Sequence, residues 1–379
     1  MKLIHLSDLH LGKRVNEFSM LEDQRYILSE ILRLVDQERP DGVLIAGDVY
    51  DKSVPSGEAV TLLDDFLVAL SQRKLQVFLI SGNHDAPERL SFGGRLMAGS
   101  GVHVAPVYQG RVPPIILEDL YGPVNLYLLP FLKPAQVRRC FPDREIATYT
   151  DALAVAVEAM GVDPAGRNVL VAHQFVTGAT RCDSEDVSVG GTDNVDVSVF
   201  APFDYVALGH IHGPQRVGRD TVRYCGTPLK YSFSEARHQK SLTVVELGEK
   251  GCVSLRTLPL TPLRDLVELR GSYEALTLRS FYENTSYRQD YVHITLTDEE
   301  DIPDAVSKLR VIYTNLTKLD YDNQRTRAGG TLEGAEYTAS RSPLELLEAF
   351  YQQQNGRPMG QEQQDFARQL MEEIWEDKT

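Results

Sequence analysis

Aspartate, asparagine and histidine residues directly follow five short apolar segments of this sequence. The segments are residues 3–7, 43–46, 77–81, 169–172 and 205–208, and the polar residues after them are Asp8, His10, Asp48, Asp51, Asn83, His84, Asp85, His173, His210 and His212. Imidazole nitrogens and carboxylate oxygens are ligands that suit Mn, Fe, Zn or Mg. No cysteine joins the set, which argues against a structural zinc site. The residue types therefore predict a catalytic metal site.

Strands are the elements that must position these side chains. The run at 43–46 has no polar alternation, which indicates a strand buried on both faces. Gly47 then lets the chain turn, and Asp48 follows beyond the carboxyl end of the strand, where open α/β sheets place ligands. We expect all five segments to be strands that gather their polar residues along one edge of one sheet.

Helical patterns alternate with these strands. Apolar residues recur at helical spacing over residues 21–38 and 56–71, and a further helix is expected over 151–160. This alternation indicates βαβ units and a largely parallel core. Residues 222–225 and 242–247 are predicted to be strands of a second sheet.

The chain is predicted to have four parts. They are a metal-binding α/β domain over residues 1–262, a small α+β capping domain over 263–319, a linker over 320–341 and a helical partner-binding segment over 342–379. In the capping domain we expect helix 272–281, strand 291–296, helix 303–310 and a last strand over 311–316. The two terminal helices carry apolar stripes, which either pack on their own domain or dock on a partner.

Composition narrows the class of protein. The formal net charge of −15 argues against nucleic-acid binding through overall basicity, although it leaves room for a local basic groove. The four cysteines are scattered and are expected to be reduced thiols in a cytoplasmic protein. No apolar run approaches the ~18 residues of a membrane span, and we expect no signal peptide before the first strand.

The spacing of the polar residues resembles the motifs of the calcineurin-like metallophosphoesterases over roughly the first 215 residues. The matching motifs are Asp8-x-His10, Gly47-Asp48-x-x-Asp51, Gly82-Asn83-His84-Asp85, His173 and Gly209-His210-x-His212. The resemblance implies a two-sheet sandwich flanked by helices. It also implies two divalent ions, which at ~3.5–4 Å separation can activate a shared water for in-line attack at phosphorus.

The same resemblance implies a role for each motif residue. Asp8, His10 and His212 would hold one ion, and Asn83, His173 and His210 the other. Asp48 would bridge the two ions. His84 would stabilise or protonate the leaving oxygen, and Asp85 could orient its imidazole. Asp51 stays open between a supporting role at the site and a capping or loop role. The remaining histidines are interpreted as structural or surface residues, namely His5, His103, His238 and His293.

Further motifs at 189–192, 203–210 and 224–235 resemble a narrower family, the nucleases of double-strand-break repair. This resemblance implies Mn²⁺-dependent DNA cleavage, with Mg²⁺ as the alternative ion, by 3′→5′ exonuclease action on duplex ends and endonuclease action on hairpins or single strands. It also implies a coiled-coil ATPase bound by the terminal helices. A homodimer within a heterotetramer is implied too, with its contact near residues 56–71 and 88–97.

Five cations are expected in loops at the metal edge, namely Lys13, Arg14, Lys52, Arg89 and Arg181. Of these, Lys13 and Arg14 would contact DNA phosphates.

Two other functions are alternatives to the nuclease. One is a metallophosphoesterase acting on small molecules, and the other is a non-catalytic scaffold that keeps the fold.

Overall fold

A computed structural model of the protein describes residues 1–182, 185, 194–328 and 343–376. In chain order its strands are β1 (Lys2–Leu6), β2 (Arg14–Val15), β3 (Phe18–Ser19), β4 (Gly42–Ala46), β5 (Gln76–Ile80), β6 (Val102–Val104), β7 (Ile115–Asp119), β8 (Gly122–Leu129), β9 (Arg167–His173), β10 (Tyr205–Gly209), β11 (Gln215–Val217), β12 (Arg219–Tyr224), β13 (Ser241–Leu247), β14 (Val253–Pro259), β15 (Leu266–Gly271), β16 (Tyr291–Leu296) and β17 (Asn315–Tyr321). The helices are α1 (Leu21–Glu38), α2 (Gly57–Gln72), α3 (Pro87–Leu90), α4 (Gly94–Met97), α5 (Pro134–Cys140), α6 (Tyr149–Met160), α7 (Tyr273–Thr277), α8 (Arg279–Tyr282), α9 (Ala305–Arg310), α10 (Gln324–Ala328), α11 (Pro343–Asn355) and α12 (Gln361–Glu376).

The chain divides into two compact units, Met1–Asp265 and Leu266–Thr379. The motif at 189–192 and most of the linker expected over 320–341 lie outside the described residues. The finer division into four parts stays a prediction. None of the described helices is long and apolar enough to cross a membrane.

The larger unit contains two sheets of six described strands each. The first has the order β14-β13-β1-β4-β5-β6, and the second has the order β11-β12-β10-β9-β8-β7. In the first sheet β1, β4, β5 and β6 are parallel, whereas β13 runs antiparallel to β1 with Val245 opposite Leu3. Residues 242–247 were predicted in the second sheet, and this was wrong, because they form β13, which lies between β14 and β1 in the first sheet.

The five predicted strands are present, but they do not share one sheet. β1, β4 and β5 belong to the first sheet, whereas β9 and β10 are parallel neighbours in the second. The carboxyl ends of the two sets meet, since the Nδ1 of His173 lies 2.8 Å from the carbonyl oxygen of Ala46. The expectation of a single sheet edge is therefore wrong. The polar residues converge where two sheets face each other.

An apolar layer between the sheets fixes this arrangement. It includes Leu44 and Phe78 from the first sheet and Val171 and Ala207 from the second, all fully buried. Removing this much apolar surface from water is the dominant stabilising term in such a core. The close approach at Gly209 depends on the missing side chain, because a Cβ there would collide with the carbonyl oxygen of Ala46.

The helices that flank the sheets begin close to where the sequence predicts. Helix α1 has the predicted bounds and ends where Arg39 takes a left-handed conformation with φ of 50°. Helix α2 begins after Ser56, whose hydroxyl accepts a hydrogen bond from the amide of Ala59 at 3.2 Å. Serine is a favoured N-cap because its side chain satisfies an otherwise unpaired amide of the first turn.

The smaller unit carries a parallel sheet of the order β15-β16-β17. The helix predicted over 272–281 is broken into α7 and α8, because Leu278 between them is extended with ψ of 128°. The strand predicted over 311–316 begins only at Asn315. Residues before it continue the turn of α9, since the amide of Tyr313 donates to the carbonyl of Leu309 at 2.8 Å and its ring is buried in the local core. The β-branched Val311 and Ile312 made this turn resemble a strand.

Strand β17 and the short helix α10 extend into the segment predicted as a linker. The terminal helices α11 and α12 are present as predicted. Phe350, Phe366 and Leu370 on them are exposed.

Candidate active site

The turns after the strands force the polar residues into a backbone conformation that most residues avoid. Asp8, His10, Asp48 and His210 all have positive φ, with values of 52°, 44°, 46° and 106°. Non-glycine residues there carry a local conformational cost that the surrounding structure must offset. Main-chain hydrogen bonds hold two of these turns together, because the amide of Asp8 donates to Gly47 and that of His10 to Asp48, at 3.0 and 2.9 Å.

One half of the site consists of Asp8, His10 and His212, which are all buried and whose ligand atoms lie within 4.8 Å of one another. The Nε2 atoms of the two histidines face each other at 3.2 Å. Asp8 Oδ1 accepts the amide of His210 at 2.9 Å, and this bond links the first sheet to the second.

The other half is built around Asn83 and two histidines of the second sheet. The Oδ1 of Asn83 lies 3.0 Å from the Nε2 of His173 and 3.0 Å from the Nδ1 of His210. The Nδ1 of His173 points at the carbonyl of Ala46, so this nitrogen carries a proton, and Nε2 is the nitrogen that faces Asn83 and Asp48.

Asp48 lies between the two halves. Its Oδ2 is 3.7 Å from the Nε2 of His10 and 3.3 Å from that of His173, while its Oδ1 accepts the amide of His84 at 2.9 Å. Burial opposes ionisation of Asp48, but the neighbouring His173 imidazole outweighs it and holds the pKa of this carboxyl well below its usual range. Asp48 is thus an anion within reach of ligands from both sets.

The donor set fits divalent metal ions. The Oδ2 of Asp8 is buried and has no hydrogen-bond partner among the described residues. The Nε2 atoms of His10 and His212 lie 3.2 Å apart. A hydrogen bond between them requires a proton on one of the two nitrogens, whereas two unprotonated nitrogens can both be ligands to one cation. Burial also raises the pKa of Asp8 to about 6 and lowers that of His10, which leaves the imidazole neutral, as a ligand must be.

His84 lies at the mouth of the site, with 21% of its side chain exposed. Its Nδ1 is 3.0 Å from the carbonyl oxygen of Asp51, and its Nε2 is 3.9 Å from Asp48 Oδ2. The expectation that Asp85 orients this ring needs correction. The carboxylate of Asp85 instead accepts the main-chain amides of Val49, Tyr50 and Gly82 at 2.9–3.0 Å, so it holds two site loops together.

Asp51 has two possible roles in the sequence, and the structure places its carboxylate beside the site. Its Oδ1 forms an ion pair with the Nζ of Lys13 at 2.7 Å and lies 4.0 Å from the Nδ1 of His10. Together with its carbonyl bond to His84, this gives Asp51 contacts with two imidazoles of the site and with one cation.

The five cations predicted in loops at the metal edge differ in their secondary structure and in their contacts. Lys13 is held by Asp51, and Lys52 is exposed in a loop. Arg14 lies in β2 and Arg89 in α3, so the expectation of loop positions for these two was wrong. The guanidinium of Arg181 stacks over the ring of Phe175 at 3.4 Å. That ring contacts His210 edge-on.

Two buried residues that were not predicted as site residues support His212. Glu235 Oε1 lies 3.0 Å from the Nδ1 of His212, and Glu235 Oε2 accepts from Lys240 Nζ at 2.5 Å. Lys240 also donates to the carbonyl of His212 and the hydroxyl of Thr227, at 2.9 and 2.6 Å. Burial would raise the pKa of Glu235, but the bond from His212 and the charge of Lys240 hold it well below its usual range.

Gln24 is a third support, within helix α1. Its side-chain amide donates to the carbonyl of His10 at 2.7 Å and its Oε1 accepts the amide of Gly12 at 2.9 Å. The sequence held little to find these residues, because a buried glutamine or glutamate is recognised only through a partner that is distant along the chain.

Two known protein families match most of the chain. Residues 1–214 match the family described as calcineurin-like phosphoesterase, and residues 262–355 match the family described as type 5 capsule protein repressor C-terminal domain. The chain is 32% identical over 378 residues to the SbcD subunit of nuclease SbcCD from Staphylococcus epidermidis, covering 98% of each protein.

Solved structures of lower similarity include a dimetal phosphatase from Danio rerio, 10% identical with a TM-score of 0.40, covering 69% of this chain and 98% of the other. Another is the protein TT1561 of Thermus thermophilus, 12% identical with a TM-score of 0.39, covering 68% and 98%. Likeness at this level adds nothing to the assignment. The full-length match and the match over residues 1–214 establish that the chain belongs to the calcineurin-like phosphoesterases and, among them, to the family of the SbcD subunit of nuclease SbcCD.

Proposed function

We propose that this chain is the metal-dependent nuclease subunit of an SbcCD-type complex and hydrolyses DNA phosphodiester bonds in end processing, repair and recombination. The observation that carries the proposal is the convergence of Asp48 with two sets of ligand residues at the junction of the sheets. Family membership supports DNA as the substrate, since the relative of nearly equal length is named a nuclease.

The ligand sets define what the chain would hold. Asp8, His10 and His212 form one set, and Asn83, His173 and His210 form the other. Asp48 would serve both. Two bound ions, Mn²⁺ or alternatively Mg²⁺, would supply an activated water nucleophile and charge stabilisation at phosphorus. The fixed proton on His173 Nδ1 and the anchoring of His212 by Glu235 keep each ring turned toward its ion.

His84 is the residue proposed to assist the leaving group. It lies beside Asp48 but outside both ligand sets, and it is open to solvent where a substrate would enter. The carbonyl of Asp51 accepts its Nδ1 proton, so the protonated ring can present its Nε2 proton to the departing oxygen.

The proposed action is 3′→5′ exonuclease cleavage of duplex ends and endonuclease cleavage of hairpins or single strands. Because the chain is acidic overall, DNA must be held by local cations and the metal ions. Lys13 and Arg14 are proposed for this role. Lys13 forms an ion pair with Asp51 beside His10, and Arg14 is exposed on β2. The four cysteines are thiols and not disulfides, which suits a reduced, cytoplasmic protein.

The terminal helices are proposed to bind a coiled-coil ATPase of the SbcC type. Helices α11 and α12 each leave a phenylalanine exposed, Phe350 and Phe366, with Leu370 near the latter. Apolar side chains on consecutive helices form a surface that a partner helix can cover. A homodimer within the heterotetramer is proposed near α2 to α4, where Phe92 and Leu96 are 86% and 84% exposed.

The test of the nuclease proposal measures cleavage of end-labelled duplex and hairpin DNA in Mn²⁺, with and without an SbcC-type partner and ATP. His84→Ala should lower the cleavage rate by roughly 10²–10⁴-fold and leave Mn²⁺ binding intact, because the ring is outside the ligand sets. His103→Ala is the matched control, since that ring stacks on Phe78 away from the site. A chelator should abolish cleavage in each case.

A small chromogenic phosphodiester is assayed beside the DNA. Turnover of the small ester alone, under all conditions, would favour a small-molecule hydrolase. Absence of any turnover with metal bound would favour a scaffold without catalytic activity.

The assembly proposals have separate readouts. Phe366→Asp should abolish partner binding without changing turnover of the small ester, and Leu96→Glu should shift the sedimentation coefficient toward a monomer. Ile116→Glu, on an exposed residue of β7, is the control for both. Retained partner binding in Phe366→Asp, or an unchanged sedimentation coefficient in Leu96→Glu, would reject the respective contact.

A further inference from the structure

A cleft opens between the two sheets next to the metal-ligand residues, at the edge formed by β11, β12, β13 and β14. Its volume is about 530 Å³, which is in the range of a small-molecule site. The apolar layer that fills the space between the sheets elsewhere contains no residue of β11 or β12. The two sheets are joined here by a weak polar contact, from Arg223 Nε to the hydroxyl of Thr243 at 3.4 Å.

The lining of the cleft is cationic, in contrast to the chain as a whole. Its charged lining groups are Arg181 and Arg223, and the described residues bring no carboxylate into it. His238 also lines the cleft, but burial lowers the pKa of its imidazole, which is therefore neutral. The other lining groups include hydroxyls and amides, such as Thr257, Ser241 and Gln239. In a protein with a formal net charge of −15, a pocket lined in this way favours an anion.

Two lining side chains have nitrogen atoms that are available to hydrogen-bond a ligand. Arg223 is half-buried and forms no ion pair within the described part of the chain, so its terminal nitrogens can reach a ligand. The Nδ1 of His238 is buried without a hydrogen-bond partner among the described residues. Its ring packs on Gly213, where a Cβ would lie 3.2 Å from the ring.

The cleft adjoins the metal-ligand residues on two sides. Gly213 and Pro214, which line it, directly follow His212. Arg181, on another wall, stacks on Phe175, and that ring meets His210 edge-on. A ligand in the cleft would therefore lie beside residues that adjoin the ligand residues His210 and His212.

We propose that this cleft is a binding site for a nucleotide phosphate, adjacent to the phosphate that is cut. Arginine presents a planar set of donors that matches phosphate oxygens, and hydroxyl and amide groups complete such a site. The inference rests on the proposed action on DNA. The phosphate can come from the next nucleotide of the bound strand or from a released mononucleotide, and the experiment separates these sources.

The test uses the full-length chain with EDTA, so that metal ions do not compete for the phosphate. Binding of deoxyadenosine monophosphate is measured by calorimetry and that of a fluorescent single-stranded oligonucleotide by anisotropy over a series of salt concentrations. Arg223→Gln should weaken binding about tenfold, as expected for loss of a charge-assisted hydrogen bond. For the oligonucleotide it should also lower the salt slope by about 0.7, the value for one single-strand phosphate contact. Arg216→Gln is the control, because Arg216 is exposed on β11 and paired with Asp220.

A second variant avoids any loss of the bond that joins the sheets. Thr257→Glu adds a carboxylate to the cleft from an exposed position on β14, and Ser254→Glu adds one elsewhere on the same strand. Only the first should weaken binding. A change in oligonucleotide affinity assigns the cleft to the strand, and a change in mononucleotide affinity alone assigns it to the product.

The proposal is wrong if Arg223→Gln and Thr257→Glu bind both probes as their controls do, or if the wild type binds neither. Because these measurements need neither metal nor cleavage, their outcome is distinct from that of the nuclease test. Turnover of the small chromogenic phosphodiester with Mn²⁺ should be unchanged in the control variants Arg216→Gln and Ser254→Glu, since neither residue lines the cleft.

Discussion

Replacing Glu235 by glutamine tests whether a residue outside the ligand sets controls the metal site. The carboxylate is fully buried and is held between the Nδ1 of His212 and the ammonium of Lys240. Glutamine keeps the size of the side chain but removes the charge. Its one carbonyl oxygen replaces two carboxylate oxygens, so it can accept a well-aligned hydrogen bond from only one of these two donors. We expect His212 to lose its fixed orientation and part of its basicity.

The expected magnitude follows from these contacts. Loss of a carboxylate that positions a metal-binding histidine typically weakens metal affinity about 10–100-fold, which corresponds to roughly 1.4–2.7 kcal/mol. The free energy of unfolding of the metal-free protein should also fall, by up to about 3–5 kcal/mol, because Lys240 remains buried without its counter-charge.

The assay separates these two effects. Mn²⁺ affinity is measured by calorimetry on chelator-treated protein, and stability by urea unfolding without metal. Glu235→Gln combined with Lys240→Met removes the unpaired ammonium, so it should recover most of the stability but not the affinity. Glu38→Gln is the control, since that carboxylate pairs with Arg256 at the surface and is worth less than about 1 kcal/mol. Wild-type Mn²⁺ affinity in a folded Glu235→Gln protein would refute the reasoning.

Three further predictions concern the larger unit. Saturating Mn²⁺ at about 100 times its dissociation constant should stabilise the protein by about 2.7 kcal/mol and raise Tm by roughly 5–11 °C, and an unchanged Tm in calorimetry would reject a specific site. Gly82→Ala should weaken Mn²⁺ binding and cost about 1–3 kcal/mol in urea unfolding, because its Cβ would collide with the carboxylate of Asp48, whereas Gly99→Ala has open space and should be neutral. Equal stability of the two alanine variants would contradict this. Asp119→Asn should lower stability by about 1–2 kcal/mol near neutral pH, since Asp119 accepts both terminal nitrogens of Arg167. The Arg167 guanidinium holds the pKa of Asp119 well below its usual range, so this stability difference should be full above pH about 4 and shrink as the pH falls further, and a constant difference down to pH 2 would disprove it.

Local patterns in the sequence predicted many of the strands and helices. Apolar runs that end in Gly47 or before His173 mark strands buried on both faces, and periodic apolar residues marked α1 with its observed bounds. These features depend on burial and backbone conformation over a few residues. These patterns failed at Leu278, an exposed residue with an extended backbone, and at residues 311–314, where Tyr313 is held in a core assembled from distant segments.

The pairing of strands could not be predicted in the same way. An apolar strand satisfies its backbone equally well in either sheet, so the choice depends on which neighbours bury its faces. For this reason β13 was assigned to the wrong sheet, and β9 and β10 were expected beside β1, β4 and β5.

The sequence by itself determined which residue types lie at the site, because apolar strands lead directly to them, namely to Asp8, Asp48, Asn83, His173 and His210. It did not determine that these strands belong to two sheets whose carboxyl ends meet. Only the tertiary structure decided their supports, namely the amides held by Asp85 and the bond from His212 to Glu235. A ligand residue is recognised by its type and its local turn. A supporting residue is defined by a hydrogen bond to a segment distant along the chain, and that bond exists only once the two sheets have packed together.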